Sequence, residues 1–211
     1  TKEDIKKLFF STDHHWKPYL ALQTYSEMGK MLIDEYGIDI DTKSLDVNNY
    51  NIDVYKNSFL GSHGKRTGKI YAGLDDFEII YPKFETKLKV NLCGFEREGD
   101  YEKTMINRRH LSNKDIYNVN TFSTYANSGL QSKVENLMTN SSSNIFLITD
   151  SYSMPSICFM STGVKYLEQV DLRYVDENYL LKESILEAKP DIVIIQYNPG
   201  AFTDNKLFNF N

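Results

Sequence analysis

The stretch Asn144-Ile-Phe-Leu-Ile-Thr-Asp-Ser-Tyr-Ser153 decides how the chain is read. Its apolar run predicts a buried strand that delivers Asp150 and Ser151 to its C-terminal end, where open α/β sheets place their active sites. Asp and Ser are also favoured helix N-caps, so Asp150-Ser151 could equally start the buried helix expected over Met154 to Met160.

Downstream, Val170 to Val175 reads as a strand and Tyr179 to Ala188 as an amphipathic helix stopped by Pro190. Asp191-Ile-Val-Ile-Ile-Gln-Tyr-Asn198 is a near-continuous apolar run, the pattern of a parallel strand covered on both faces. It brings Gln196, Tyr197 and Asn198 to the carboxyl edge beside Ser151. Strands alternating with helices predict an α/β fold with a parallel sheet flanked by helices. Upstream, Leu130 to Asn140 reads as a short helix followed by a polar turn. Between 45 and 125 the texture changes to short alternating segments, among them Asn51 to Tyr55, Lys69 to Tyr71, Phe77 to Tyr81 and Thr86 to Leu92. These are strand signals, and the region is expected to be a β-rich insertion packed on the α/β body. Near the N-terminus, Asp4 to Phe10 reads as a strand. Pro18 opens a helix whose apolar residues recur at helical spacing up to a stop at Gly37.

The chemistry gathers between these elements. Ser11-Thr-Asp-His-His-Trp-Lys-Pro18 holds two of the four histidines, the single tryptophan and a carboxylate. An aspartate beside a histidine fixes the imidazole tautomer and stabilises the imidazolium formed when the ring takes a proton from a hydroxyl, as in a Ser-His-Asp triad. A strand-to-helix loop would leave Asp13 and His15 free to point into a cleft. The competing readings are a surface His-His pair and a zinc site. Zinc recruits three or four ligands, whereas His63, His110, Cys93 and Cys158 lie scattered without ligand spacing, so no metal or other cofactor is expected.

Gly61-Ser-His-Gly-Lys-Arg-Thr-Gly68 resembles a phosphate cradle, but lacks the Gly-x-x-x-x-Gly-Lys-Ser/Thr order of a P-loop. A loop shaping a substrate cleft, with Ser62, Lys65 and Arg66 beside Trp16, is set against a plain turn between strands.

With 211 residues the chain suits one domain over 1–211 with a sizeable core. Its formal net charge of −5 argues against a nucleic-acid partner, which needs clustered Lys and Arg. No apolar run is long enough to span a bilayer. A chain starting at Thr1 is expected to be a processed or excised form that has lost targeting information and has a possible missing N-terminal portion. Its two cysteines are expected to be free thiols. The 15 Tyr and 12 Phe suit a sugar-facing surface or ordinary half-buried sheet positions.

Thr12-Asp-His-His-Trp16, the Gly61 to Gly68 loop, Asp150-Ser151, Asp171-Leu-Arg-Tyr174 and Pro190-Asp-Ile-Val-Ile-Ile-Gln-Tyr197 together resemble the DHHW family of bacterial surface proteins. That family is similar to the alginate O-acetyltransferase branch of the SGNH hydrolase superfamily. The resemblance spans nearly the whole chain, and Thr-Asp-x-His-Trp is its most specific element. It implies an SGNH-like α/β sheet with the motif order permuted, Asp and His preceding Ser. His15 then maps to the catalytic histidine, Asp13 to its orienting carboxylate and Ser151 to the nucleophile, with His14 in the x position. The departure lies at the nucleophile, where Thr-Asp-Ser-Tyr stands in place of a glycine-led block. Arg173, Tyr197 and Asn198 become candidates for holding the oxyanion or positioning substrate.

The implied activity is acetyl transfer through an acyl-serine onto an extracellular polysaccharide, with a membrane-bound O-acyltransferase as the expected acetyl donor. The implied location is the cell surface, on the outer face of the cytoplasmic membrane. A carbohydrate esterase and a non-catalytic glycan-binding surface protein are the alternatives.

Overall fold

The computed structural model describes residues 2–92, 94–112, 115–126, 131–203, 205–208 and 210. Its centre is a six-stranded sheet in the order β4-β3-β5-β7-β6-β8. The strands are β3 (Leu88–Leu92), β4 (Phe95–Gly99), β5 (Gln131–Asn136), β6 (Asn144–Thr149), β7 (Tyr166–Val170) and β8 (Ile192–Gln196). β6 runs parallel to both β7 and β8, while β3, β4 and β5 pair antiparallel. The sheet is therefore mixed, and the expected parallel arrangement holds only around β6. β1 (Tyr50–Phe59) and β2 (Asp75–Pro82) form a separate antiparallel pair. Residues 45–125 thus supply this hairpin and also two strands of the main sheet.

α7 (Met154–Met160) lies on one face of the sheet, and α2 (Pro18–Tyr36) packs on α7 and on β2. α2 buries Ala21, Leu22, Tyr25, Ser26, Gly29 and Leu32, a stripe at helical spacing. It ends as expected at Gly37, whose φ of 66° lets its amide and that of Ile38 reach the carbonyls of Ile33 and Leu32. α7 is buried throughout. On the other face α8 (Leu181–Ala188) covers Phe146, Ile148, Val170 and Leu172. Farther along that face, β3, β5 and β7 present Lys89, Asn91, Lys133, Glu135 and Glu168 around an open cavity of about 450 Å³.

Several expectations are corrected. The segment expected as a strand over Asp4 to Phe10 is mostly a helix, α1 (Lys2–Leu8), whose Ile5 and Leu8 face solvent, while Phe9 and Phe10 just beyond it pack on the core. Lys69-Ile-Tyr71 lies in the short helix α4 (Lys69–Ala72), because neither Ile70 nor Tyr71 finds a sheet to pack on. Gly61 to Gly68 is largely the helix α3 (Ser62–Thr67) rather than a loop. The helix expected over Leu130 to Asn140 is β5 where described; Leu130 lies outside the described residues. The strand expected at Val170 to Val175 ends at Val170, where Asp171 turns the chain by accepting from the Arg173 amide. β8 is an edge strand with Ile195 53% exposed, so its apolar run does not mark burial on both faces. Cys158 is a buried free thiol, and Cys93 lies outside the described residues.

Candidate active site

The turn that carries Ser151, the candidate nucleophile, grows directly out of the sheet. Where β6 ends, Asp150 caps a short 3₁₀ turn over Ser151–Ser153 that runs straight into α7. The buried Asp150 carboxylate accepts the Tyr152 amide at 2.9 Å through Oδ1. Through Oδ2 it accepts both the amide and the side-chain nitrogen of Asn198, just past β8. Ser153 Oγ donates to the Gln196 carbonyl at 3.1 Å. Asp150 is thus both helix cap and clamp between two strand ends, which joins the two readings of the sequence.

The turn that carries Asp13 and His15, the candidate acid–base pair, is built differently. An isolated bridge between Phe9 and Trp16 closes residues 10–15 into a loop between α1 and α2. Asp75 holds its outer side, accepting from the Ser11 amide at 3.0 Å and from the Thr12 amide and hydroxyl at 2.8 and 2.7 Å. Gly61 holds its inner side. A side chain there would overlap Asp13 and the Thr12 carbonyl, so this glycine is required for close approach rather than for cradling phosphate. Its amide donates to Thr12 Oγ1 at 2.9 Å, and that of Ser62 to Asp13 Oδ2 at 2.6 Å.

These two turns meet, although 136 residues separate His15 from Ser151. Asp13 Oδ1 is hydrogen-bonded to His15 Nδ1, and His15 Nε2 lies 3.0 Å from Ser151 Oγ. The imidazole is stacked on Phe122 with centroids 4.0 Å apart and on Tyr152 at 5.5 Å, which fixes the plane of the ring. Ser151 is half-buried, whereas Asp13 and His15 are buried. Burial alone would raise the Asp13 carboxyl, but the His15 ring and the amides of Ser62 and His15 outweigh it and hold Asp13 well below the usual carboxylate range. Asp13 therefore stays charged and can stabilise an imidazolium. The Tyr152 phenol is pushed up to about 12 by burial and by the nearby Asp150 and Asp13, so it remains a donor, and its hydroxyl donates a hydrogen bond to the His14 carbonyl at 2.6 Å.

The remaining candidates take different positions from those expected. Trp16 does not line a cleft: it is buried, and Nε1 donates to the Tyr152 carbonyl at 2.8 Å, bracing the nucleophile turn from beneath. Ser62 faces the site, with its hydroxyl 3.3 Å from His14 Nδ1. Lys65 points away, donating to the Val119 carbonyl at 2.7 Å, and Arg66 is exposed. Arg173 is committed to Asp171 through Nε and Nη2, at 2.9 and 2.6 Å. Tyr197 donates to the Leu207 carbonyl, and Asn198 is held by Asp150. These bonds make Asn198 part of the frame behind the serine, and they commit Arg173, Tyr197 and Asn198 to partners other than Ser151.

Asp13, His14 and His15 offer ligand atoms within 4.8 Å of one another, the group among the described residues that could converge on a metal ion. A cation there would claim the same carboxylate and ring nitrogen that orient His15 toward Ser151, so metal ligation and the hydrogen-bond relay exclude each other. The sequence pointed to Asp13, His15 and Ser151 but not to Asp75, Phe122, Tyr152 or the clamping role of Asp150.

No family model matches the sequence, and no curated protein matches it. Solved structures do match in fold. Bacillus cereus PatB1 with a sulfonyl adduct superposes with a TM-score of 0.76 at 17% identity, over 100% of this chain and 67% of that one. A second structure of B. cereus PatB1 gives 0.75 at 18% identity, over 100% and 68%. A DHHW family protein from Eubacterium siraeum DSM 15702 gives 0.67 at 15% identity, over 98% and 66%. This chain spans about two thirds of the length of each of these proteins, and its fold is similar to that of PatB1 and the DHHW family protein.

Proposed function

We propose that this protein is a serine-dependent O-acetyltransferase, SGNH-like with permuted motif order, that carries an acetyl group on Ser151 and passes it to a hydroxyl of an extracellular polysaccharide. The observation that carries this reading is the 3.0 Å contact of Ser151 Oγ with His15 Nε2, on a ring whose other nitrogen is bonded to Asp13. A serine hydroxyl is a weak nucleophile until a base lies within hydrogen-bond reach.

In the first half-reaction His15 Nε2 takes the Ser151 proton while Oγ attacks the carbonyl of an acetyl ester. The resulting oxyanion is met by the Ser151 amide. Collapse breaks the ester bond, and the leaving oxygen takes the proton from His15, giving acetyl-Ser151. In the second half the acceptor hydroxyl gives its proton to His15 and attacks the acetyl carbon; Ser151 Oγ departs and is reprotonated. Water in place of the sugar hydroxyl would give an esterase.

Two further observations support the reading. The residues around Asp13, His15 and Ser151 resemble the DHHW family and, through it, the alginate O-acetyltransferase branch. PatB1, similar in fold, is known with a sulfonyl adduct, and sulfonyl reagents form adducts with activated nucleophiles. In this reading a membrane-bound O-acyltransferase supplies the acetyl group at the outer face of the cytoplasmic membrane.

The experiment is intact mass spectrometry with an activated acetyl ester, followed by addition of an oligosaccharide. One acetyl adduct on the wild type, none on Ser151→Ala, and faster loss of the adduct with saccharide than with water are expected. Loss at the same rate with and without saccharide makes the chain a carbohydrate esterase. An adduct that persists on Ser151→Ala overturns the nucleophile, and no adduct on the wild type leaves a glycan-binding surface protein.

A further inference from the structure

The acid–base turn rests on the base of α3, and beyond α3 the chain projects outward. Gly68 at φ 87° and Gly73 at φ 73° frame the four residues of α4, and neither position has protein atoms within contact of an added side chain. At the tip Ile70 is 104% exposed and Tyr71 86% exposed. Tyr117, itself half out of the surface, accepts the Lys69 amide at 3.0 Å and so props α4. From Gly61 to Leu74 the chain carries Lys65, Arg66 and Lys69 and no Asp or Glu, in a protein whose net charge is −5. Arg66 and Lys69 are exposed and form no ion pair among the described residues.

From this arrangement we infer that the α3–α4 projection is a membrane-interface contact, inserting Ile70 and Tyr71 at the headgroup boundary of an anionic bilayer while Arg66 and Lys69 meet lipid phosphates. A small apolar wedge with a tyrosine and adjacent cations is the composition that interfacial segments use. A polyanionic glycan would use the cations but gain nothing from an aliphatic side chain standing free of any groove. A stable protein partner would need about 800 Å² per side, far more than two side chains offer. The base of the same projection touches the site: the Ser62 amide is bonded to Asp13, and the His63 ring lies 6.0 Å from that of His14. Docking here holds Ser151 close to the membrane plane. The inference goes beyond acetyl transfer and is read without any ester present.

The test is flotation of the full chain with phosphatidylcholine vesicles made with and without phosphatidylglycerol. Binding only to the anionic vesicles, weakened by salt, is expected, with a loss of at least about tenfold for Ile70→Ser/Tyr71→Ser and for Lys69→Glu. All variants should keep the wild-type melting temperature. A polarity-sensitive fluorophore on Tyr71→Cys should shift to the blue when anionic vesicles are added. The inference is overturned if the wild type does not float, if the tip variants float equally well, or if the label does not shift. Equal binding to an anionic polysaccharide that survives Ile70→Ser also overturns it.

Discussion

The two turns that meet at Ser151 are held in opposite ways. The nucleophile turn is an extension of secondary structure: β6 runs into it, α7 runs out of it, and Asp150 ties it to the end of β8. The acid–base turn grows out of no strand of the sheet: the Phe9–Trp16 bridge closes it, and bonds from the Asp75 carboxylate, the Gly61 amide and the Tyr152 hydroxyl keep its shape. Damage to the first should therefore show as lost stability. Damage to the second should show as lost rate in a protein that still folds.

The largest effect expected from breaking this contrast is at Asp13. Asp13→Asn should lower the turnover of an acetyl ester about 10⁴-fold, the cost of a misassigned histidine tautomer, with the circular dichroism spectrum unchanged. A rate within a few-fold of wild type would remove the acid–base turn from the reaction. Next comes Asp75→Ala, which frees three donors of the turn without touching His15 or Ser151. If the turn moves by about 1 Å, kcat should fall on the order of 10²-fold while KM holds; an unchanged kcat would show that Gly61 and Tyr152 suffice.

Asp150→Ala should instead lower unfolding free energy by about 2 kcal/mol in urea, since it strands the Tyr152 and Asn198 donors in a buried site. A larger stability loss in Asp75→Ala than in Asp150→Ala would reverse the contrast. The smallest effect is in pH. Asp13 has a folded pKa below its unfolded value, so its contribution to stability is complete above about pH 4 and is lost as pH falls through the acid range toward the folded value. Melting temperatures followed from neutral pH into that range should fall more steeply for wild type than for Asp13→Asn; parallel curves would mean that Asp13 is not held low.

What the sequence disclosed follows the same division. β6, α7, α8 and β8 were legible because their apolar patterns are local, and α2 because Pro18 and Gly37 punctuate it. β5 was not. Gln131-Ser-Lys-Val-Glu-Asn136 alternates correctly, but two of its three inward positions are Ser132 and Asn136, so the period-two apolar signal rests on Val134 alone. Lys69-Ile-Tyr71 erred the other way, its strand-favouring residues standing in solvent. In the site, Asp13 and His15 were legible as a local Asp-His-His run, and Ser151 as the Asp-Ser that ends the apolar run of β6. Asp75 acts on Thr12 across 63 positions, and Phe122 reaches His15 only through the fold. Side chains aimed by tertiary structure leave no spacing to read.

The clamp from Asp150 to Asn198 also sets an order of events in biogenesis. The chain is synthesised N-terminus first, so imidazole and serine are both present well before residue 198 arrives. Until that last strand docks, the turn carrying the alcohol lacks its far anchor.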